Sequence, residues 1–158
     1  MNDVKLVPQK PTPAFVGASW FVLLIGVVSY LAGLWNADME LNEKGYYFTI
    51  LLFGLFSVIS VQKTIRDRAE NIPVTNIYYM VTWFCVIASI SLLVVGLWNA
   101  DMILSEKGFY GLAMIMSLFS VIAVQKNVRD LAVFDSLEDK SKVKPWSKSN
   151  NEDELGGL

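Results

Sequence analysis

Histidine is absent from this 158-residue chain, and cysteine occurs once, at Cys85. Without histidine the usual general base and the commonest transition-metal ligand are both missing. A single cysteine closes no intrachain disulfide, and one set inside an apolar stretch packs as a small apolar residue. The words that carry hydrolytic, metal or redox chemistry (G-x-S-x-G, H-E-x-x-H, C-x-x-C) do not occur. The most telling shortage is of charge, and it is local. Charged residues make up 18% of the chain, yet none falls within residues 14–35, 46–61, 77–98 or 109–124. Ionisable groups inside a span usually mark proton relays and ion pathways, so their absence argues against an ion-coupled pump. No enzyme and no cofactor is expected.

The four uncharged stretches are long. At a helical rise of about 1.5 Å per residue, the first and third reach roughly 33 Å, enough to cross a hydrocarbon core of about 30 Å. The second and fourth reach about 24 Å and need their flanking Gly-aromatic and Gln-Lys turns to complete a crossing, with lysine stems snorkelling to the headgroups. Four buried helices of a soluble bundle would carry polar faces at helical period, and these carry none. Four membrane spans follow. The first is too long for the apolar region of a cleaved signal peptide. Pro8, Pro11 and Pro13 make the segment before it extended, with Thr12 as cap and Pro13 in the first turn of the helix.

Repetition decides the architecture. The word GLWNADM at residues 33–39 returns 63 positions later at 96–102, and EKG at 43–45 returns at 106–108. LFSVI at 55–59 returns at 118–122, and Q-K-x-x-R-D at 62–67 returns at 125–130. Each copy holds two spans, so the copies enter the membrane in the same direction. The expected fold is all-α, a polytopic membrane four-helix bundle of two parallel two-helix repeats related by an axis along the membrane normal. Its divisions are a segment 1–13, a first repeat 14–67, a linker 68–76, a second repeat 77–130 and a tail 131–158. The tail offers one short amphipathic turn at 131–134 and otherwise too little apolar surface to order itself.

Basic residues set the orientation. Lys5, Lys10, Lys63, Arg66, Arg68, Lys126, Arg129, Lys140, Lys142, Lys144 and Lys148 fall on one side, and only Lys44 and Lys107 on the other. Basic residues near span ends stay cytoplasmic, so both termini and the linker are expected inside. Trp20, Trp35, Trp83 and Trp98, with Tyr46, Tyr47, Tyr78, Tyr79, Phe109 and Tyr110, lie near span ends and read as interfacial anchors. Lys63, Arg66, Lys126 and Arg129 anchor the inner ends against helix dipoles and anionic lipid. Asp67 and Asp130 are placed to pair with the neighbouring arginines.

Taken together, GLWNADM-x-LNEKGYY (33–47), SVQKTIRD (60–67), IPVTNIYYM (72–80), the second GLWNADM through EKGFYGLA (96–113) and AVQKNVRD (123–130) resemble the YiaA/YiaB family of bacterial inner-membrane proteins. The resemblance covers residues 15–130 and leaves out the tails. It implies a two-helix repeat domain in two copies and an inner-membrane location in a Gram-negative bacterium. It implies no activity.

Candidate sites are mainly for packing. Lipid supplies no hydrophobic drive between helices, so small residues must let them approach. Gly54, Ser57 and Ser60 in the second span match Ser117, Ser120 and Ala123 in the fourth, and their three-residue spacing suggests one interior face. Ser29-x-x-x-Gly33 and the run Ala88, Leu92, Gly96 suggest a weaker seam in the first and third spans. In the outer loops Asn36 and Asn99 suit helix termination, Glu43 and Glu106 a helix N-terminus, and Gly45 and Gly108 close backbone approach. Asp38, Glu43, Asp101 and Glu106 are the candidates for a divalent-cation site, although external loops carry acids without any metal. The leading expectation is a non-enzymatic structural or interaction module whose partners are membrane lipids and a second copy or another membrane protein, not nucleic acid. The alternative is a small-solute transporter or channel along the axis, lined by the serines.

Overall fold

The computed structural model describes residues 10–143, with side chains through residue 140. The readings made above for Lys5, Pro8, Lys144 and Lys148 lie outside those residues, and that for Lys142 outside the described side chains. Four helices follow one another: α1 (Pro13–Asn36), α2 (Leu41–Ala69), α3 (Asn76–Asn99) and α4 (Leu104–Val143). There is no strand among the described residues. All four helices are long and apolar enough to cross a membrane.

The helix ends follow from local chemistry, and the two repeats use the same devices. Thr12 caps α1 by accepting from the Phe15 N–H at 3.3 Å, with Pro13 in the first turn. Thr75 caps α3 in the same way, accepting from Tyr78 at 3.4 Å. The amide of Asn36 donates to the Ala32 carbonyl at 2.7 Å, and that of Asn99 to Val95 at 2.8 Å, so each helix stops with a carbonyl satisfied. At the end of α2 the chain reverses through Asn71, whose φ of 57° is the left-handed conformation asparagine tolerates, and Ile72 donates back to Asp67.

α4 runs on where the sequence suggested one short turn. It stays helical to Val143. Residues 131–143 contain neither proline nor glycine, and Leu131 and Phe134 remain half-buried. Lengthening an existing helix needs no new nucleus, so the poverty of apolar surface does not stop it.

The packing is an exchange between repeats. α1 lies against α4 and α3 against α2, while α2 and α4 meet at the centre. The two helices of one repeat scarcely touch. The bundle is therefore pseudo-twofold, mapping α1 onto α3 and α2 onto α4, with α2 and α4 the more buried pair. Its core comprises Tyr30, Leu34, Tyr47, Ile50, Leu51, Val58, Leu93, Tyr110, Ala113, Met114 and Leu118. The outer faces of α1 and α3 expose Phe21, Leu24, Val28, Phe84, Ile87 and Val94, as a lipid-facing surface requires.

Candidate functional site: helix seams and hairpin pockets

The seams repeat every seven residues. On α2 the rows Tyr47–Gly54–Val61 and Ile50–Ser57–Thr64 are all buried, and on α4 so are Tyr110–Ser117–Val124 and Ala113–Ser120–Asn127. Facing them are Ser19, Gly26 and Gly33 on α1 and Thr82, Ser89 and Gly96 on α3. A seven-residue period is the mark of a left-handed crossing with side chains interdigitating. Of the six packing positions expected, Gly54, Ser57, Ser117 and Ser120 lie in the seam, whereas Ser60 and Ala123 are half-buried and leave it. Three residues advance about 300° around a helix, so each three-residue step drifts about 60° and the third member has turned away. Val61 with Thr64, and Val124 with Asn127, take the vacated place. The expected α1 and α3 seams through Ser29, Ala88 and Leu92 are displaced for the same reason: the period is seven, not four.

The contacts are close. A Cβ added at Gly26 would lie 2.6 Å from Ser117 Oγ, and one at Gly54 would strike Met114 and come within 3.5 Å of Ser89 Oγ. Gly33 receives the Phe109 ring and Gly96 the Tyr46 ring, each 2.6 Å from where a Cβ would stand. Gly45 and Gly108, expected to permit close approach, have nothing within 4 Å. They sit in open space on the first turns of α2 and α4, where the backbone faces no neighbour. The seam hydroxyls bond within their own helices: Ser57 donates to Phe53 at 2.6 Å, Ser117 to Ala113 at 2.7 Å, and Ser120 to Met116 at 2.7 Å, as does Ser60 off the seam, to Phe56 at 2.8 Å. They contribute small volume more than cross-helix bonding.

At the loop end the axis is filled by rings. Tyr47 and its equivalent Tyr110 stack at 6.0 Å, and Tyr30 meets Tyr110 edge-on at 5.4 Å. The Tyr30 hydroxyl donates to the Tyr47 carbonyl at 3.1 Å, and that of Tyr46 to Leu92 at 2.7 Å. Tyr47 and Tyr110 were expected as interfacial anchors, but both are buried between helices. Rings at the end of a span face lipid only if their helix face does, and these two face the partner repeat. Trp35 and Trp98 are 84% and 83% exposed and Trp20 and Trp83 are also exposed, all on outward faces. Tyr79 lies beneath Arg68 at 4.0 Å.

At the linker end the same rows carry polar groups. Ser19, Thr64, Thr82 and Asn127 are buried. Asn127 donates to Ser19 Oγ at 3.0 Å across α4 and α1, and its own Oδ1 meets no partner. Sequence reading passed over Asn127 because it sits inside the basic word Q-K-N-V-R-D; its place seven residues from Ser120 was the available signal. Beyond it, Arg66 pairs with Asp67 at 3.0 Å and Lys126 with Asp130 at 3.0 Å, and Arg129 reaches Glu70 of the linker at 3.3 Å. Lys63 is exposed.

The hairpin loops are capped from both sides. Glu43 accepts from the Glu40 N–H at 3.0 Å, and Glu106 from Ile103 at 3.2 Å. Lys44 donates to the Trp35 carbonyl at 3.1 Å and Lys107 to Trp98 at 3.3 Å, closing the ends of α1 and α3. Two equivalent pockets open beside these loops. One, of about 640 Å³, is lined by Asp38, Asp101 and Glu106 with Asn36, Phe109 and Tyr110; the other, of about 250 Å³, by Glu43 with Asn42, Tyr46, Tyr47 and Asn99. Of the four carboxylates proposed for a cation, Glu43 thus stands apart from the other three. Among the described residues no cluster of three or more His, Cys, Asp or Glu is arranged to hold a metal.

A twice-repeated membrane hairpin, free of charge within its spans and closed at its loops by N-A-D-M and E-K-G, defines a class of small polytopic membrane proteins. The model of the yiaA/B two helix domain matches residues 15–67 and again 78–130, and the chain belongs to that family. It is 60% identical over 122 residues to the Inner membrane protein YiaA of Escherichia coli (strain K12), covering 77% of this chain and 84% of that one. It is 41% identical over 64 residues to the Uncharacterized membrane protein YubF of Bacillus subtilis (strain 168), covering 40% of this chain and 74% of the relative. No solved structure matches.

Proposed function

We propose that this protein is a non-enzymatic structural or interaction module of the bacterial inner membrane, with both termini and the linker in the cytoplasm. The observation that carries the reading is the filled axis: Tyr30, Leu51, Met114, Ser57, Ser117 and Ser120 are fully buried between the helices. The serines bond their own backbones, and no charged side chain lies among them to carry an ion or a proton. The location rests on the name of the Escherichia coli relative, and the orientation on the basic residues of the linker end.

A small-solute transporter or channel is the second reading, favoured by the larger loop-end pocket beside Phe109 and Tyr110. Purified protein in vesicles should pass small neutral solutes no faster than protein-free vesicles. Flux that disappears on substituting Ser57 and Ser120 would overturn the module and establish the channel. Orientation has its own test. Asn42→Cys and Ser105→Cys should be labelled from outside intact spheroplasts, and Ser136→Cys only after permeabilisation; external labelling at 136 reverses the assignment.

A further inference from the structure

We infer that the two repeats recognise each other through a size code along their seams, so that the first repeat pairs with the second in preference to a copy of itself. This holds whatever role the bundle serves. Each hairpin leaves its own helices almost untouched and offers both to the other hairpin. The seam, not the linker, is then what assembles the bundle.

The code is read by comparing equivalent positions. Where α1 has Gly26 its partner α4 has Ser117; where α3 has Ser89 its partner α2 has Gly54. Each interface thus sets one glycine against one serine, in opposite order, with Met114 of α4 also pressed against Gly54. One helical turn further along these antiparallel pairs, Tyr30 comes level with Ala113 and Leu93 with Ile50, all four in the buried core. By that register a large residue stands opposite a small one on one side, and two intermediate ones stand opposite each other on the other. At the linker end Ser19 accepts from Asn127, whereas their equivalents Thr82 and Thr64 bond within their own helices.

Pairing a repeat with its own copy breaks both size-matched levels. Two first repeats would set Gly26 against Gly54, leaving a gap, and Tyr30 against Ile50, overfilling the next layer. Two second repeats would set Ser89 against Ser117, where a Cβ in place of Gly26 already lies 2.6 Å from the Ser117 hydroxyl. They would also set Leu93 against Ala113, leaving a void. Gaps and overpacking both destabilise, so the mixed pair wins on two counts. The matched 64 residues of YubF make up 74% of its length, which leaves room for one two-helix unit only. A chain of that kind carries no second repeat to supply the opposite seam, and the duplication here allows the two seams to differ.

The test uses the full chain with a protease site inserted between Ile72 and Pro73, prepared in two populations with different tags at each terminus. After cleavage in detergent the halves should stay together, and after mixing and warming a first repeat should capture the second repeat of the other population. Separation of the halves on cleavage, or capture of first repeat by first repeat at comparable yield, overturns the inference. A cycle in the uncut chain decides the code should the cleaved halves hold together without exchanging. Gly26→Ser should lower the Tm by at least about 3 °C, adding Ser117→Gly should restore most of that loss, and adding Ser89→Gly instead should restore none. Equal rescue by both second substitutions, or by neither, sinks the size code.

Discussion

The two ends of the bundle are built on neighbouring heptad rows with opposite materials. At the loop end the rows finish in Tyr47 and Tyr110, joined by Tyr30, with glycines 33 and 96 yielding to the neighbouring rings. At the linker end the adjacent rows, from Ile50 and Ala113, finish in Thr64 and Asn127, met by Thr82 and Ser19. Large rings need glycine opposite them and hold by contact area and edge-to-face geometry. Small hydroxyls and one amide let the backbones close and hold by van der Waals approach. The seam thus closes by two routes, and the routes should fail differently.

Removing a ring should cost most. Tyr30→Ala should destabilise by about 3 kcal/mol, at the low end for aromatic truncation because lipid is as apolar as the core and only packing is lost. Tyr30→Phe, which loses only the bond to the Tyr47 carbonyl, should cost about 1 kcal/mol. Thermal unfolding in detergent measures both. Equal losses for the two would mean that the hydroxyl, and not the ring, holds the loop end.

Overfilling the middle should come next. Ser57→Leu and Ser120→Leu should each cost roughly 1–3 kcal/mol by overpacking. Ser60→Leu and Ala123→Leu should lie within about 0.5 kcal/mol of the parent, because those positions have turned off the seam. A water-filled axis predicts leucine to be tolerated at all four. Should Ser57→Leu and Ser120→Leu melt like the parent, the dry seam is wrong.

The same positions show what could be read from sequence. The repeat, the four spans and the capping of α1 by Thr12 and its termination by Asn36 were legible because each rests on local residue chemistry or on simple counting. The exchange of helices between repeats was not, since nothing in either hairpin says whether its faces meet each other or a neighbour. That ambiguity put Tyr47 and Tyr110 at the lipid interface instead of on the axis. It also let a three-residue spacing stand in for the seven-residue one, which kept Gly54 and Ser57 but missed Gly26, Ser89 and Asn127.

Asn127 offers the smallest expected effect and the finest comparison between the ends. It breaks the pseudo-symmetry of the linker end, an amide where the first repeat has Thr64. Asn127→Thr removes the bond to Ser19, worth about 0.6 kcal/mol by the average for polar contacts between membrane helices. It also removes a buried Oδ1 that has no partner, and leaving such an acceptor unmet costs about 1–3 kcal/mol. The new hydroxyl can bond the carbonyl four residues back, as Thr64 does to Ser60 at 2.7 Å. The two changes oppose each other, and the orphaned acceptor is the larger, so the variant should melt at or slightly above the parent. Asn127→Leu should melt lower, since it removes the same atoms but overfills a site that already admits no solvent. If threonine instead lowers stability by more than about 1 kcal/mol, Oδ1 is satisfied in the membrane and the bond to Ser19 is a principal tie between α1 and α4.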